Sequence, residues 1–267
     1  MAKRAAPATL PAIRPAAPTR IAYQLRVDAL IDEMATSLDY WLRAAWRADE
    51  PATVELGQDA TPLQNAFDKL ARRWQRRFDT LADQLAEWFA TTVEGRCDRT
   101  MRANMRKAGF TVRFQQTQAM REAVDAVISE NVALIKSIGA QHLEGVQVAL
   151  SQSIATGRDL ASLTDHLTKR VGITKRRAAL IARDQNNKAT ATMVRTRMLE
   201  NGITKARWQH SAGGKTQRPD HVKASRDRLI FDMATGVDFE NGEGTVWPGT
   251  AINCRCVALP VIEGFDY

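Results

Sequence analysis

With 267 residues, 44% of them hydrophobic and 25% charged, the chain has enough material for one large core or two modest ones and does not depend on an outside staple. No apolar run reaches the roughly 18 residues of a membrane span, and the Pro- and Ala-rich first twenty residues lack the apolar segment of a secretory signal, so a chain that stays where it is made is expected. Three cysteines, with Cys97 isolated, do not make a disulfide framework and fit a reducing compartment. The net charge of +8 is unevenly spread: Lys and Arg against Asp and Glu number 7 to 8 over residues 1–60, 23 to 14 over 61–200 and 8 to 8 over 201–267. A basic middle points to an acidic partner, DNA or an acidic protein surface, while a solvated arginine-rich helical face explains the same count.

Residues 1–20, with Pro7, Pro11, Pro15 and Pro18 among alanines, read as a flexible or docking arm whose order needs a partner. From Ile21 the spacing of Leu30, Ile31, Met34, Leu38, Trp41 and Leu42 predicts a helix that ends near Asp49-Glu50-Pro51, followed by a linker through Gly57. Thr61-Pro62 is a helix start, and the helix it opens carries Leu63, Phe67, Leu70, Trp74, Phe78, Leu81, Leu85 and Trp88 as a packing stripe. Gly109 to Phe114 alternates like a short strand or an extended link. Helical spacing resumes through Met120–Ile138 and again through Leu143–Ile154, with Gly157 as a stop, and Asp159–Val171 reads as a further short helix. Thr174 is expected to cap a last long helix, Lys175 to about Leu199, closed by Asn201-Gly202. Arg183, Asp184, Asn186 and Asn187 crowd the middle of that helix, and so many polar groups need partners elsewhere; they are expected to form the docking surface for the tail.

Past Gly202 the texture turns to Gly, Pro, Asp and Thr with short apolar runs, which predicts a small α+β unit. The expected fold is therefore mainly α, a long-helix body with a small C-terminal α+β domain. Its divisions are an arm at 1–20, an N-terminal helical region at 21–114, a basic helical region at 115–202 and the α+β domain at 203–267.

The helix motif Ala178-Ala179-Leu180-Ile181-Ala182-Arg183-Asp184-Gln185, followed in order by Gly202-Ile203, Trp208, Arg218-Pro219-Asp220-His221, Pro248-Gly249 and Asn253-Cys254-Arg255-Cys256, resembles the Mu F-like minor head proteins of tailed bacteriophages over about residues 120–262. Two departures stand out. Arg183-Asp184-Gln185 replaces the Arg-Thr-Glu common in that family, and Ser225-Arg226-Asp227 occupies the stretch after the histidine where a Gly is usual. The resemblance implies a structural minor head protein, acting in head morphogenesis near the portal and packaged DNA. It implies the portal or major capsid protein as partner, a place in the head interior or portal vertex of the virion, and the host cytoplasm during assembly. No membrane partner and no small-molecule substrate are expected. DNA contact, carried by the basic candidates Arg72, Arg73, Arg76, Arg77, Lys175, Arg176 and Arg177, would be phosphate-driven and independent of sequence.

The tail also carries chemistry. Residues two apart on an extended strand share a face, so Cys254 and Cys256 present two sulfurs together while Arg255 turns away. With His210 and His221 they form a Cys2His2 set of the kind tetrahedral zinc accepts, though a Cys-x-Cys pair is tighter than a zinc finger's and the histidines come first. In the alternative the cysteines are small packing groups and His221 hydrogen-bonds within the tail. A DNA-processing or toxin-like enzyme would use His221 with Asp220 as base and Arg218 with Arg226 as phosphate clamp, or Cys254 as nucleophile beside His221. A non-specific DNA-binding protein with no head-specific role is the remaining rival. The preferred reading is structural, with no catalytic residue assigned.

Overall fold

The computed structural model describes residues 9–48, 62–155, 160–213 and 217–262. Among these the chain is mainly α. Four long helices, α1 (Ala17–Ala48), α2 (Pro62–Lys107), α3 (Gln118–Ala155) and α4 (Leu160–Glu200), precede a small region built from β1 (Lys205–Gln209), the short helix α5 (Pro219–Arg226), β2 (Ile230–Asp232), β3 (Val237–Asp238), β4 (Thr245–Val246) and β5 (Val257–Val261). The described residues fall into two compact units. One collects those within Met1–Arg20, Trp88–Ile128 and Arg183–Tyr267; the other collects those within Ile21–Glu87 and Ser129–Ala182. No helix is long and apolar enough to cross a membrane among the described residues.

The apolar spacing explains the helices, with two exceptions: Trp41 of α1, expected on the buried stripe, is 49% exposed, and the stripe of α2 shifts its centre. In α2, Leu63, Phe67, Leu70, Trp74 and Phe78 are buried as expected, but the stripe continues through Ala82, Ala86 and Phe89. Leu81, Leu85 and Trp88 sit half-buried at its edge. Side-chain size misleads there, because the 3.6-residue repeat puts alanines at the centre of the stripe. Each large apolar side chain so buried contributes about 1.5–3 kcal/mol.

Two expected breaks do not occur. Met120–Ile138 and Leu143–Ile154 belong to one helix, α3, and the segments on either side of Thr174 belong to α4. Thr174 is not a cap: its hydroxyl donates back to the Arg170 carbonyl at 3.0 Å, a bond that a helical threonine makes without ending the helix. Gly139 stays inside α3 because the Phe78 ring lies against it, 2.8 Å from where a Cβ would stand. Thr61, Gly157 and the linker through Gly57 lie outside the described residues.

The helix ends follow the sequence signals. α2 is closed by Gly109 at φ 86, with the Phe110 amide donating to the Met105 carbonyl at 2.9 Å. α4 is closed by Gly202 at φ 72, with Ile203 donating to Met198 at 2.9 Å. In both a left-handed residue lets the chain turn back and satisfy a carbonyl of the last turn. Between α2 and α3 the Phe110–Phe114 stretch is an extended link, and the Thr117 hydroxyl accepts the Met120 amide at 3.1 Å as a helix cap.

In the unit that contains the tail, β1 is the centre of a three-stranded antiparallel sheet ordered β2-β1-β5, and β3 pairs with β4 as a separate ribbon. Ala206 and Trp208 of β1 face inward, with Lys205, Arg207 and Gln209 on the other side. The described part of the arm differs from a flexible one. Thr9 bridges to Val261, the Leu10 amide donates to the Pro260 carbonyl at 2.9 Å, and Leu10, Ile13 and Ala16 are buried. The arm thus covers the edge of β5 and ends in α1, which begins at Ala17 rather than Ile21.

Candidate functional site

The tail chemistry converges on His221, Cys254 and Cys256. Pro219 starts α5 at a position whose missing N–H costs nothing, and two residues later His221 is 2% exposed. Trp247–Thr250 forms a turn closed by the Thr250 amide on the Trp247 carbonyl at 3.1 Å, with Pro248 and then Gly249 at φ 91 in its centre. A Cβ at Gly249 would stand 3.1 Å from the Cys256 carbonyl oxygen, so the residue is required for space as well as conformation. A second turn closes from the Cys254 amide to the Ala251 carbonyl at 2.9 Å, with Asn253 at φ 59. Asparagine tolerates that region better than most residues.

The middle of α4 holds these turns, as its polar composition predicts. Asp184 Oδ1 accepts the Asn253 amide at 2.6 Å, and the Asn187 side chain donates to the Cys254 carbonyl at 2.9 Å. Asn186 donates to the Ala16 carbonyl at 3.2 Å in the same unit. The carboxylate of the Arg183-Asp184-Gln185 departure therefore has a place: it binds the backbone of the Asn-Cys-Arg-Cys motif and pairs with Lys188 at 3.3 Å.

Cys254 and Cys256 precede β5 rather than lying in it, yet the expected alternation holds. Both sulfurs turn to His221 Nδ1, at 3.5 and 3.6 Å, while Arg255 turns away and donates to the Gly213 carbonyl. Neither cysteine is in a disulfide. The three ligand atoms lie within 4.8 Å of one another, and all three residues are buried. Trp208 packs edge-on against the imidazole at 4.8 Å, and Phe239 lies 5.3 Å from it on a tilted plane.

The two thiols are tuned in opposite directions. The Cys256 thiol, a potential donor, acts most strongly to lower the Cys254 pKa; burial opposes it, and His221 and the amides of Cys256 and Gly249 add to the lowering. The Cys256 pKa is raised, first by Cys254 and then by burial, while Trp208 and the Ser211 amide pull it down. A pair that shares one proton behaves in this way. Trp208 Nε1 bears on the Cys256 sulfur but falls short of a regular hydrogen bond, so this buried donor is left unspent, as is His221 Nε2. A buried polar group without a partner costs about 1–3 kcal/mol.

His210 is not part of this cluster. Its Nδ1 accepts the Ala212 amide at 3.1 Å, and its own amide donates to the Ser225 hydroxyl at 3.0 Å. The residues that a nuclease reading would join to His221 do not converge on it either. Asp220 accepts from Asn241 at 2.8 Å, Arg218 pairs with Glu243 at 3.0 Å, and Arg226 pairs with Asp227 at 3.1 Å. Adjacency in sequence places Asp220 and His221 on different sides of α5, one at the surface and the other inside.

The basic candidates divide. Arg72, Arg73, Arg76, Arg77 and Arg176 are exposed. Arg73, Arg76 and Arg77 line a groove of about 1010 Å³ with Tyr40, Trp41 and Trp74, whose wall also holds Asp32 and Glu33. Arg77 pairs with Glu33 and lies over the Trp74 ring, 5.5 Å from its centroid. Lys175 is committed to Asp32 at 2.6 Å and Arg177 to the Ser137 hydroxyl at 2.9 Å.

Arg197 passes unnoticed in a reading by apolar spacing. Its side chain is 2% exposed and meets Asp98 at 2.7 Å, Glu200 at 2.9 Å, Glu94 at 3.3 Å and the Gln115 carbonyl at 2.7 Å, with the Phe114 ring beneath it. Burial alone would lower its pKa, but the Asp98 and Glu200 contacts outweigh it and hold the guanidinium charged. Only the Glu200 contact, three residues along α4, was visible locally. Trp208, a wall of the His221 site, was marked in sequence only by its place in the motif order, and Phe239, the other aromatic wall, was not legible, because nothing in its local pattern separates it from ordinary core.

The family described as Phage Mu protein F like protein matches residues 144–259, which cover α4 and nearly the whole tail. That stretch of the chain is thus similar to Phage Mu protein F like protein. An uncharacterized protein of Haemophilus influenzae (strain ATCC 51907 / DSM 11121 / KW20 / Rd) is 31% identical over 188 residues, which is 68% of this chain and 40% of that relative. The chain therefore spans well under half of the relative's length. No solved structure matches the chain.

Proposed function

We propose that the chain is a structural minor component of a tailed-phage head, acting in head morphogenesis at the portal vertex or head interior, beside packaged DNA. The observation that carries this reading is the Mu F-like match over residues 144–259, which suggests a head-morphogenesis family. The match coincides with a segment whose motif residues serve to brace one another: Asp184 and Asn187 of α4 hold the turns around Asn253 and Cys254. The cavity that Cys256 lines together with Ile13, Asn187 and Pro248 measures about 20 Å³, room for one water. His221 and Asp220 do not share a face, which weighs against a nuclease centre built on that pair.

Portal or major capsid protein is the partner this reading names, and DNA is a second, phosphate-driven one. Exposed Arg72, Arg73, Arg76 and Arg176 are the residues for that contact. The test is mass spectrometry of purified particles made from the genome that encodes this chain, together with assembly in its absence. The protein is expected in the particle, and its deletion is expected to lower the yield of DNA-filled heads. Its absence from particles that assemble and fill normally without it would sink the proposal.

A further inference from the structure

We propose that His221 Nδ1, Cys254 Sγ and Cys256 Sγ form a three-ligand site for zinc. The argument begins with distance. In a tetrahedral centre with Zn–S near 2.3 Å and Zn–N near 2.05 Å, each sulfur stands about 3.6 Å from the nitrogen. The two separations are 3.5 and 3.6 Å. Hydrogen bonds to sulfur have the same length, so the spacing fits either description, and an ion bound by all three atoms would give it.

Electrostatics agrees. Two thiolates and a neutral imidazole bring two negative charges to a buried place, and a divalent ion makes the centre neutral, which is the condition for burying it cheaply. Trp208 packs edge-on against the His221 ring at 4.8 Å, and its buried N–H has no hydrogen-bond partner among the described residues. Soft sulfur ligands select zinc over magnesium or calcium. His210, the fourth ligand of the set expected from sequence, is engaged with the Ala212 amide and does not join. The centre would tie α5 to the turns that precede β5, and it stands independently of any role in a phage head.

The test uses the full chain, untagged and purified without chelator, with metal measured by mass spectrometry. About one zinc per chain is expected. Cys254→Ser, Cys256→Ser and His221→Ala should each lose most of it, while Cys97→Ser and His210→Ala should keep it. Zinc at trace level in the wild type, or retained in the Cys254→Ser/Cys256→Ser double variant, would overturn the site, and its loss in His210→Ala would overturn the three-ligand form. Because the ligand variants can fail to fold, cobalt(II) is also added to wild-type protein stripped of metal. Sulfur-to-cobalt charge-transfer bands with tetrahedral ligand-field bands are expected; their absence refutes the site without relying on any variant.

Discussion

Single residues in this protein carry large terms where charge meets burial. Arg197 is the clearest: three carboxylates and a carbonyl close around one guanidinium that is 2% exposed. Removing it leaves Glu94, Asp98 and Glu200 facing one another without a counter-charge, so Arg197→Met is expected to cost about 3–5 kcal/mol, read as a lowered urea midpoint. Asp98→Asn keeps the shape and two of the carboxylates and should cost less. His142 is a second case. Its side chain is 2% exposed, and since the Thr174 hydroxyl gives its proton to the Arg170 carbonyl, His142 Nδ1 must donate to Thr174 at 2.9 Å. Burial first, and then the Arg170 charge, lower its pKa from 6.5 to about 4. In that window the unfolded chain binds a proton that the fold refuses, so stability is full above about 6.5 and is lost as pH falls toward 4. At roughly 1.4 kcal/mol per pH unit the gap amounts to about 3 kcal/mol. A His142→Gln variant should show a shallower loss of thermal stability than wild type between pH 7 and pH 4; equal slopes would rule this origin out.

At the scale of elements, the tail depends on turns more than on strands, since β3 and β4 have two residues each and β2 three. The Trp247–Thr250 turn needs φ 91 at Gly249 and has the Cys256 carbonyl 3.1 Å from where a Cβ would go. Gly249→Ala should destabilise by about 1–3 kcal/mol, through strain and through displacement of the Cys256 backbone. Calorimetry of the variant checks this; a change within about 0.5 kcal/mol would contradict the geometry. Asn187→Ala deletes the buried donor to the Cys254 carbonyl and should cost about 1–3 kcal/mol by the same measurement. These turns were partly readable in advance: Pro248-Gly249 and Asn253 are turn chemistry, and the polar run at Arg183–Asn187 signals a docked helix. The helix start expected at Thr174 does not occur, because threonine caps a helix or bonds back within one, and only the neighbouring His142 and Arg170 show which occurs.

For the whole molecule, the uneven charge is the one property that composition reports directly. If the basic middle touches DNA, replacing Arg72, Arg73, Arg76 and Arg176 together with Gln should weaken duplex binding and flatten its dependence on salt by up to about four counterions, as followed by fluorescence anisotropy. Equal salt slopes for wild type and variant would remove these residues from the interface. Lys175 and Arg177 were indistinguishable from them in sequence; their partners Asp32 and Ser137 lie 143 and 40 residues away, so only folding commits them.

Periodicity, Gly and Pro placement and motif order were enough, without coordinates, to establish a mainly α chain, the helix stop at Gly202, the small tail and the likeness to Mu F-like phage proteins, because these are local or linear properties. The tertiary structure decided the rest. It joined stretches distant in sequence into two compact units and put Arg197 among carboxylates a hundred residues away. It also brought His221, Cys254 and Cys256 together and left His210 apart, because which side chains meet depends on the fold, and spacing along a chain determines that only within an element.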